Sequence, residues 1–103
     1  MVGKFTITGI GELLWDVFPE GKRLGGAPVN FACHCNRLGA RAFPVSCVGK
    51  DELGAEIRRL LESFDVDDAY VEEDEEHPTG TVQVSVDDSG KPTYRICEDV
   101  AWD

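Results

Sequence analysis

The stretch from Gly25 to Gly49, GGAPVNFACHCNRLGARAFPVSCVG, decides how this chain folds. Two glycines lead into a segment in which Pro28 suits the first turn of a helix, where its missing N–H costs nothing, and Leu38-Gly39 supplies the stop. Val29, Phe31, Ala32, Cys33 and Cys35 make that helix largely apolar, which predicts burial on several sides. Ala42 to Val48 then has strand character and, following a helix, is placed parallel to an earlier strand in a βαβ unit. Pro44 inside it removes a ladder donor and predicts an edge or bulge there.

Working outward toward the N-terminus, Phe5 to Ile10 is short, β-branched and bounded by glycine, which predicts a first and central strand. Glu12 to Phe18 alternates, with Leu14, Asp16 and Phe18 on one face and Leu13, Trp15 and Val17 on the other. Pro19-Glu20-Gly21 is a turn, and Lys22 to Leu24 returns as a short strand. On the C-terminal side, Asp51 is the N-cap of a second helix whose Leu53, Ile57, Leu60, Leu61 and Phe64 recur at helical spacing. Val66 to Val71 is expected to be a third parallel strand, and Glu72 to Glu76 a solvated acidic loop. Thr81 to Val86 alternates strictly, Asp87 to Gly90 turns, and Thr93 to Cys97 completes an antiparallel hairpin.

Composition removes several classes of partner. The 103 residues carry 10 basic against 20 acidic side chains, a net charge of −10. Nucleic acids and anionic membranes need a basic surface, so both are excluded as expected partners. Apolar runs fall short of the roughly 20 residues that span a bilayer, Met1 to Ile10 lacks a signal-peptide pattern, and the expected compartment is the cytoplasm. Cys33, Cys35, Cys47 and Cys97 form no C-x-x-C pair and read as reduced thiols. Cys33, His34 and Cys35 cannot converge on one metal ion, because neighbours on a helix diverge by about 100°. His34 and His77 are read as surface or helix residues, and neither a metal site nor a catalytic residue is assigned.

A ligand cradle is visible at the glycine pair. Gly25 and Gly26 allow close approach of backbone to a ligand, and the helix beginning near Pro28 offers N–H groups to oxygen atoms. Asn30 adds an amide able to donate and accept, which suits vicinal hydroxyls. Asp16, a carboxylate between Leu14 and Phe18 on one strand face, needs a donor to offset its desolvation. Capping a turn or facing water is the alternative for Asp16, and Arg95 either reaches a polar or anionic substrate group or stays solvated on its hairpin.

Gly25, Gly26, Pro28, Asn30, Ala32, Gly39 and Gly49 resemble, in order and spacing, the first signature of the ribokinase-like (PfkB) carbohydrate kinases. Gly11 to Asp16 resembles the opening motif of that family, whose aspartate binds sugar hydroxyls. Val48 to Gly54 resembles its V-G-x-D-x-x-G, with Lys50 where members often carry an acidic residue. Thr79-Gly80 matches a pair that precedes a lid strand, and Pro92 to Arg95 followed by Ala101 to Asp103 is similar to fructokinases.

The resemblance implies an α/β fold: the start of a doubly wound ribokinase-like sheet with a small β-sheet lid, an incomplete fold within one N-terminal segment, 1–103. Lid strands are expected at about 12–24 and 80–98, and α/β core pieces at about 4–11 and 27–72. It further implies phosphoryl transfer from ATP to a sugar hydroxyl, fructose being the first expectation, with ATP and Mg2+ serving the complete enzyme and neither bound tightly by this chain. The family's D-T-x-G-A-G-D segment and a G-x-x-x-x-G-K-[ST] loop are both absent from the sequence, so no turnover by this chain alone is expected. The implied site residues are Asp16, Gly25, Gly26, Asn30 and Arg95, and the implied ligand is a small sugar. Two other readings stay open: a stand-alone sugar-binding module, and a fragment that only mediates dimerisation. Open sheet edges predict self-association through lid or core strands.

Overall fold

The computed structural model describes residues 5–103. Lys4, where the first core piece was expected to begin, lies outside the described residues, as do the first four residues of the stretch searched for a signal pattern. The elements are β1 (Thr6–Ile10), β2 (Leu14–Phe18), β3 (Gly21–Gly25), α1 (Ala27–Arg37), β4 (Arg41–Gly49), α2 (Glu52–Ser63), β5 (Val71–Asp74), β6 (Gly80–Val86) and β7 (Pro92–Ile96). They form two sheets, one of three strands ordered β1-β4-β5 and one of four ordered β3-β2-β6-β7.

The three-stranded sheet is parallel throughout, with Thr6 opposite Arg41 and Ser46 opposite Val71. It departs from expectation at its centre: β4, not β1, has neighbours on both sides, and β1 is an edge that leaves Ile10 83% exposed. Pro44 therefore sits in the central strand and is fully buried. The backbone direction explains how. Arg41 donates to the Phe5 carbonyl and Val45 accepts from Gly11, so odd-numbered residues of β4 serve β1. Even-numbered residues serve the other side, where Ala42 donates to the Asn36 side chain and the ladder with β5 starts only at Ser46. Pro44 lacks its N–H where no strand lies opposite, so the edge it requires is local.

Helix α1 packs on β1 and β4 and buries one stripe, Pro28, Val29 and Ala32. The burial on several sides expected from its composition is not found: Cys33 and Cys35 are half-buried, while Asn30 and Phe31 are exposed. Helix α2 is amphipathic as expected, burying Gly54, Ile57 and Leu61. The third strand lies further along the chain than expected, at Val71–Asp74. Residues 66–70 are taken up in ending α2: Asp65 adopts φ 55°, and Val66 donates back to the Leu61 carbonyl at 2.9 Å. Arg58 then holds the Val71 carbonyl at 2.6 Å, and only from there does the chain run straight. The acidic stretch Glu72 to Asp74 is consequently a strand with exposed glutamates, not a loop.

The four-stranded sheet is mixed: β2 runs parallel to β6, while β3 and β7 pair antiparallel to β2 and β6. One face turns to the main core, where Leu13 and Trp15 join Val29, Val48, Ile57 and Leu61. Trp15 Nε1 donates to the Leu53 carbonyl at 3.0 Å, and Lys22 lies over the Trp15 ring while pairing with Glu56 at 3.1 Å. The β2–β3 hairpin is thereby seated on α2. The opposite face carries a smaller cluster, Leu14, Val82 and Val84 with Phe18 and Trp102 against it.

Candidate functional site

That second face opens into a cavity of about 550 Å3. Strand β2 contributes Leu14 and Asp16, β6 contributes Val82, and β7 contributes Tyr94 and Ile96. Cross-strand register explains the grouping, because Asp16 lies opposite Val82 and Val82 opposite Ile96, one row across three strands. The other wall is the start of α1, with Gly26, Ala27 and Asn30, and the β1–β2 connection adds Glu12. Trp102 lies against Leu14 and Gly80 and completes the apolar side. The cavity thus has a polar wall and an apolar wall, the usual character of a small-molecule site.

The glycines are required by contact. Gly26 has φ +111°, a region glycine favours, and a Cβ there would collide with the Glu12 carbonyl. A Cβ on Gly25 would come within 2.6 Å of Asp16 Oδ2, so Gly25 makes room for that carboxylate. The Asp16 carboxylate takes part in none of the side-chain hydrogen bonds or ion pairs found among the described residues, although Arg23 is its cross-strand neighbour. Arg23 instead places its guanidinium 5.3 Å from the centre of the Phe18 ring.

Of the residues singled out in the sequence, Asp16, Gly26 and Asn30 line one cavity, and Gly25 lies directly behind Asp16. Arg95 does not line it. In β7 it is exposed and pairs with Gln83, on the face opposite to Tyr94 and Ile96. Sequence reasoning missed Tyr94 and Ile96, and the period of two in β7 was the signal that would have found them. It also missed Glu12 and the position of Trp102, which depend on how distant segments meet.

A polar knot ties the two sheets together beside this site. Asp51 caps α2, its Oδ1 accepting from Gly54 N–H at 2.8 Å and from the Thr79 hydroxyl at 2.6 Å, while Oδ2 accepts from Thr79 N–H at 2.9 Å. Thr79 Oγ1 in turn accepts from Gly49 N–H at 2.9 Å. Partial burial alone would raise the Asp51 pKa; the three hydrogen bonds from Thr79 and Gly54 outweigh it and hold the carboxyl below the usual range. Cβ atoms on Gly49 or Gly54 would strike Thr79 or the Gly49 carbonyl, so both glycines belong to this knot.

No group of three His, Cys, Asp or Glu among the described residues could hold a metal. At the start of α1, Pro28 removes one of the N–H groups a phosphate would use. No described helix is long and apolar enough to cross a membrane.

An α/β chain with a half-polar cavity between a helix start and a small mixed sheet has the architecture of a small-molecule-binding domain. Residues 11–101 match the model of the pfkB family of carbohydrate kinases, and the chain belongs to that family. It is 37% identical over 90 residues to a fructokinase of Salmonella typhimurium, covering 82% of this chain and 29% of the relative. An uncharacterized sugar kinase of Pyrococcus horikoshii superposes with a TM-score of 0.83 at 33% identity, covering 93% of this chain and 36% of that one. A fructokinase of Vibrio cholerae gives the same TM-score at 27% identity, over 96% and 36%. The chain spans about a third of the length of these relatives. The fold is the α/β, ribokinase-like class expected from the sequence.

Proposed function

We propose that this chain forms the sugar-binding part of an ATP-dependent carbohydrate kinase, with fructose the first candidate substrate. The observation that carries the reading is the shared cavity of Asp16 and Asn30. Sugar hydroxyls donate to the Asp16 carboxylate, the Asn30 amide both donates and accepts, and Gly25 and Gly26 keep the backbone clear. Arg95 contributes only if its strand reorients. Residues 12–24 and 80–98 act as the lid and the remainder as the α/β core, in a cytoplasmic protein.

The Pyrococcus horikoshii kinase has also been solved with ATP, which supports ATP as the phosphoryl donor. Nucleotide and Mg2+ are left to a part of the family fold beyond these residues, so this chain alone does not turn over. A coupled kinase assay with ATP and fructose checks that, and measurable turnover overturns it.

An amide chemical-shift titration with fructose tests the binding itself. Shifts centred on Asp16, Gly26 and Asn30, abolished by Asp16→Ala, support the reading; shifts elsewhere, or none up to high millimolar fructose, refute it. A second reading, a module that self-associates through the lid, is favoured by the exposure of Val86, Tyr94 and Ile96 on one hairpin.

A further inference from the structure

We propose that the free edge of β1 is an interface for a second copy of this chain, joined about a two-fold axis through Thr8 so that the two parallel sheets continue into one. The register of β1 against β4 shows which groups that edge offers. Arg41 donates to the Phe5 carbonyl, Gly11 donates to the Val45 carbonyl, and Thr6 to Ile10 pair in step with Arg41 to Val45. Odd-numbered residues of β1 therefore turn their N–H and C=O groups to β4, and Thr6, Thr8 and Ile10 turn theirs the other way, where no described strand lies. The side chains of those three residues are exposed as well. An open row of donors and acceptors beside an exposed isoleucine is a template for another strand.

Charge identifies the strand that fits. Among the described residues there are four edge strands, and three of them are guarded. Strand β3 carries Lys22 and Arg23, β5 carries Glu72, Glu73 and Asp74, and β7 carries Pro92 and Arg95. From Phe5 to Gly11 the β1 segment holds neither a charged side chain nor a proline. A two-fold contact sets each patch against its own copy, so lysine would meet lysine at β3 and glutamate would meet glutamate at β5. Two chains of net charge −10 repel one another, and β1 is the edge on which they touch without adding like charges at the contact.

Antiparallel pairing about Thr8 sets Thr8 against its own counterpart and Thr6 against the Ile10 of the second copy. Each outward-facing residue then exchanges both backbone hydrogen bonds with the one opposite. The face toward α1 closes in the same step. A groove of about 280 Å3 lies there between β1 and the start of α1, with Gly9, Ile10, Pro28 and Phe31 in its lining. The exposed Phe31 ring rests against Gly9, which leaves room for it by having no side chain. In this register Ile7 of the second copy falls opposite Gly9 and covers that ring. Thr8 does not line the cavity of Asp16 and Asn30, so this interface and the sugar-site reading stand or fall separately.

Amide hydrogen exchange on the intact 103-residue chain at rising concentration tests the interface. The Thr6, Thr8 and Ile10 amides are expected to slow by about tenfold or more, while Ile7 and Gly9, already bonded to β4, stay unchanged. Thr8→Lys and Thr8→Glu should each abolish the slowing at Thr6 and Ile10, since like charge then meets across the axis, and an equal mixture of the two should restore it. Thr8 is exposed, and if either variant fails to fold, the contrast between even and odd positions in the parent decides alone. Exchange at Thr6, Thr8 and Ile10 that is independent of concentration up to about 1 mM overturns the proposal. Slowing that survives in either variant alone, or that the mixture does not restore, overturns it too. Slowing confined to β7 assigns association to the lid and overturns the β1 interface.

Discussion

Replacing Thr79 by valine keeps shape and burial while deleting one hydroxyl, and that hydroxyl holds the knot between the two sheets. It donates to the Asp51 carboxylate at 2.6 Å and accepts from Gly49 N–H at 2.9 Å, in a residue only 2% exposed. A hydrogen bond to a charged group contributes about 1.5–3 kcal/mol, and leaving the Gly49 N–H buried without an acceptor costs about 1–3 kcal/mol. The two losses share one site and do not add fully, so Thr79→Val is expected to destabilise by about 3 kcal/mol. With a urea slope of about 1.5 kcal/mol per molar, the unfolding midpoint falls by about 2 M. Urea titration followed by tryptophan fluorescence measures it. In a double-mutant cycle with Asp51→Ala, about 1–3 kcal/mol of coupling is expected.

Acidification reports on the same knot. The Asp51 carboxyl is held below its usual value when folded, so its contribution is fully present above the unfolded value near pH 4 and is lost as pH falls through the lower folded value. Asp74, held down first by the Glu76 N–H, and Asp87, held down first by the Ser89 hydroxyl, lose stability in the same direction. The diagnostic quantity is therefore the difference between parent and Asp51→Ala, which shrinks below about pH 4. A midpoint shift under about 0.5 M for Thr79→Val, or a difference that does not change with pH, refutes the reasoning.

Gly80→Ala places a methyl group into the Trp102 indole and is expected to cost about 1–3 kcal/mol and to shift the tryptophan emission; an unchanged spectrum and midpoint count against the described packing. Asp16→Asn keeps size and removes charge, and is expected to weaken fructose binding by about tenfold in titration calorimetry, with unaltered affinity as the opposing result. Tyr94→Lys with Ile96→Lys charges the hairpin, where these residues are 64% and 61% exposed, and should shift sedimentation toward monomer. A parent chain already monomeric at high concentration removes the basis for that expectation.

How much of this was legible in the sequence depended on whether the deciding interaction was local. The glycine pair, Pro28, the Asp51 cap and the alternation of β2 and β6 act within a few residues, and each element formed where local chemistry placed it. The third strand was misplaced because Val66 has strand propensity yet is drawn back onto α2 by Leu61, a contact propensity does not contain. Pro44 misled because the ladder on its side begins two residues later, at Ser46. In the candidate site, Asp16, Gly26 and Asn30 could be named from residue chemistry. Glu12, Tyr94, Ile96 and Trp102 could not, since their membership arises from register between strands far apart in sequence. Arg95 was chosen for its charge when the parity of its strand pointed to the residues on either side.

Strand β2 separates two tasks by odd and even position: Trp15 and Val17 anchor the hairpin, while Leu14 and Asp16 line the cavity. Point changes at the even positions can therefore reshape the cavity without loosening the anchor. Deleting or inserting one residue between Gly11 and Leu14 has no such freedom, because it exchanges the two sets at once, turning an indole outward and a carboxylate into the interior. Length variation among natural or engineered versions of this chain should accordingly be found in the Pro19–Gly21 turn and be missing from the segment before β2.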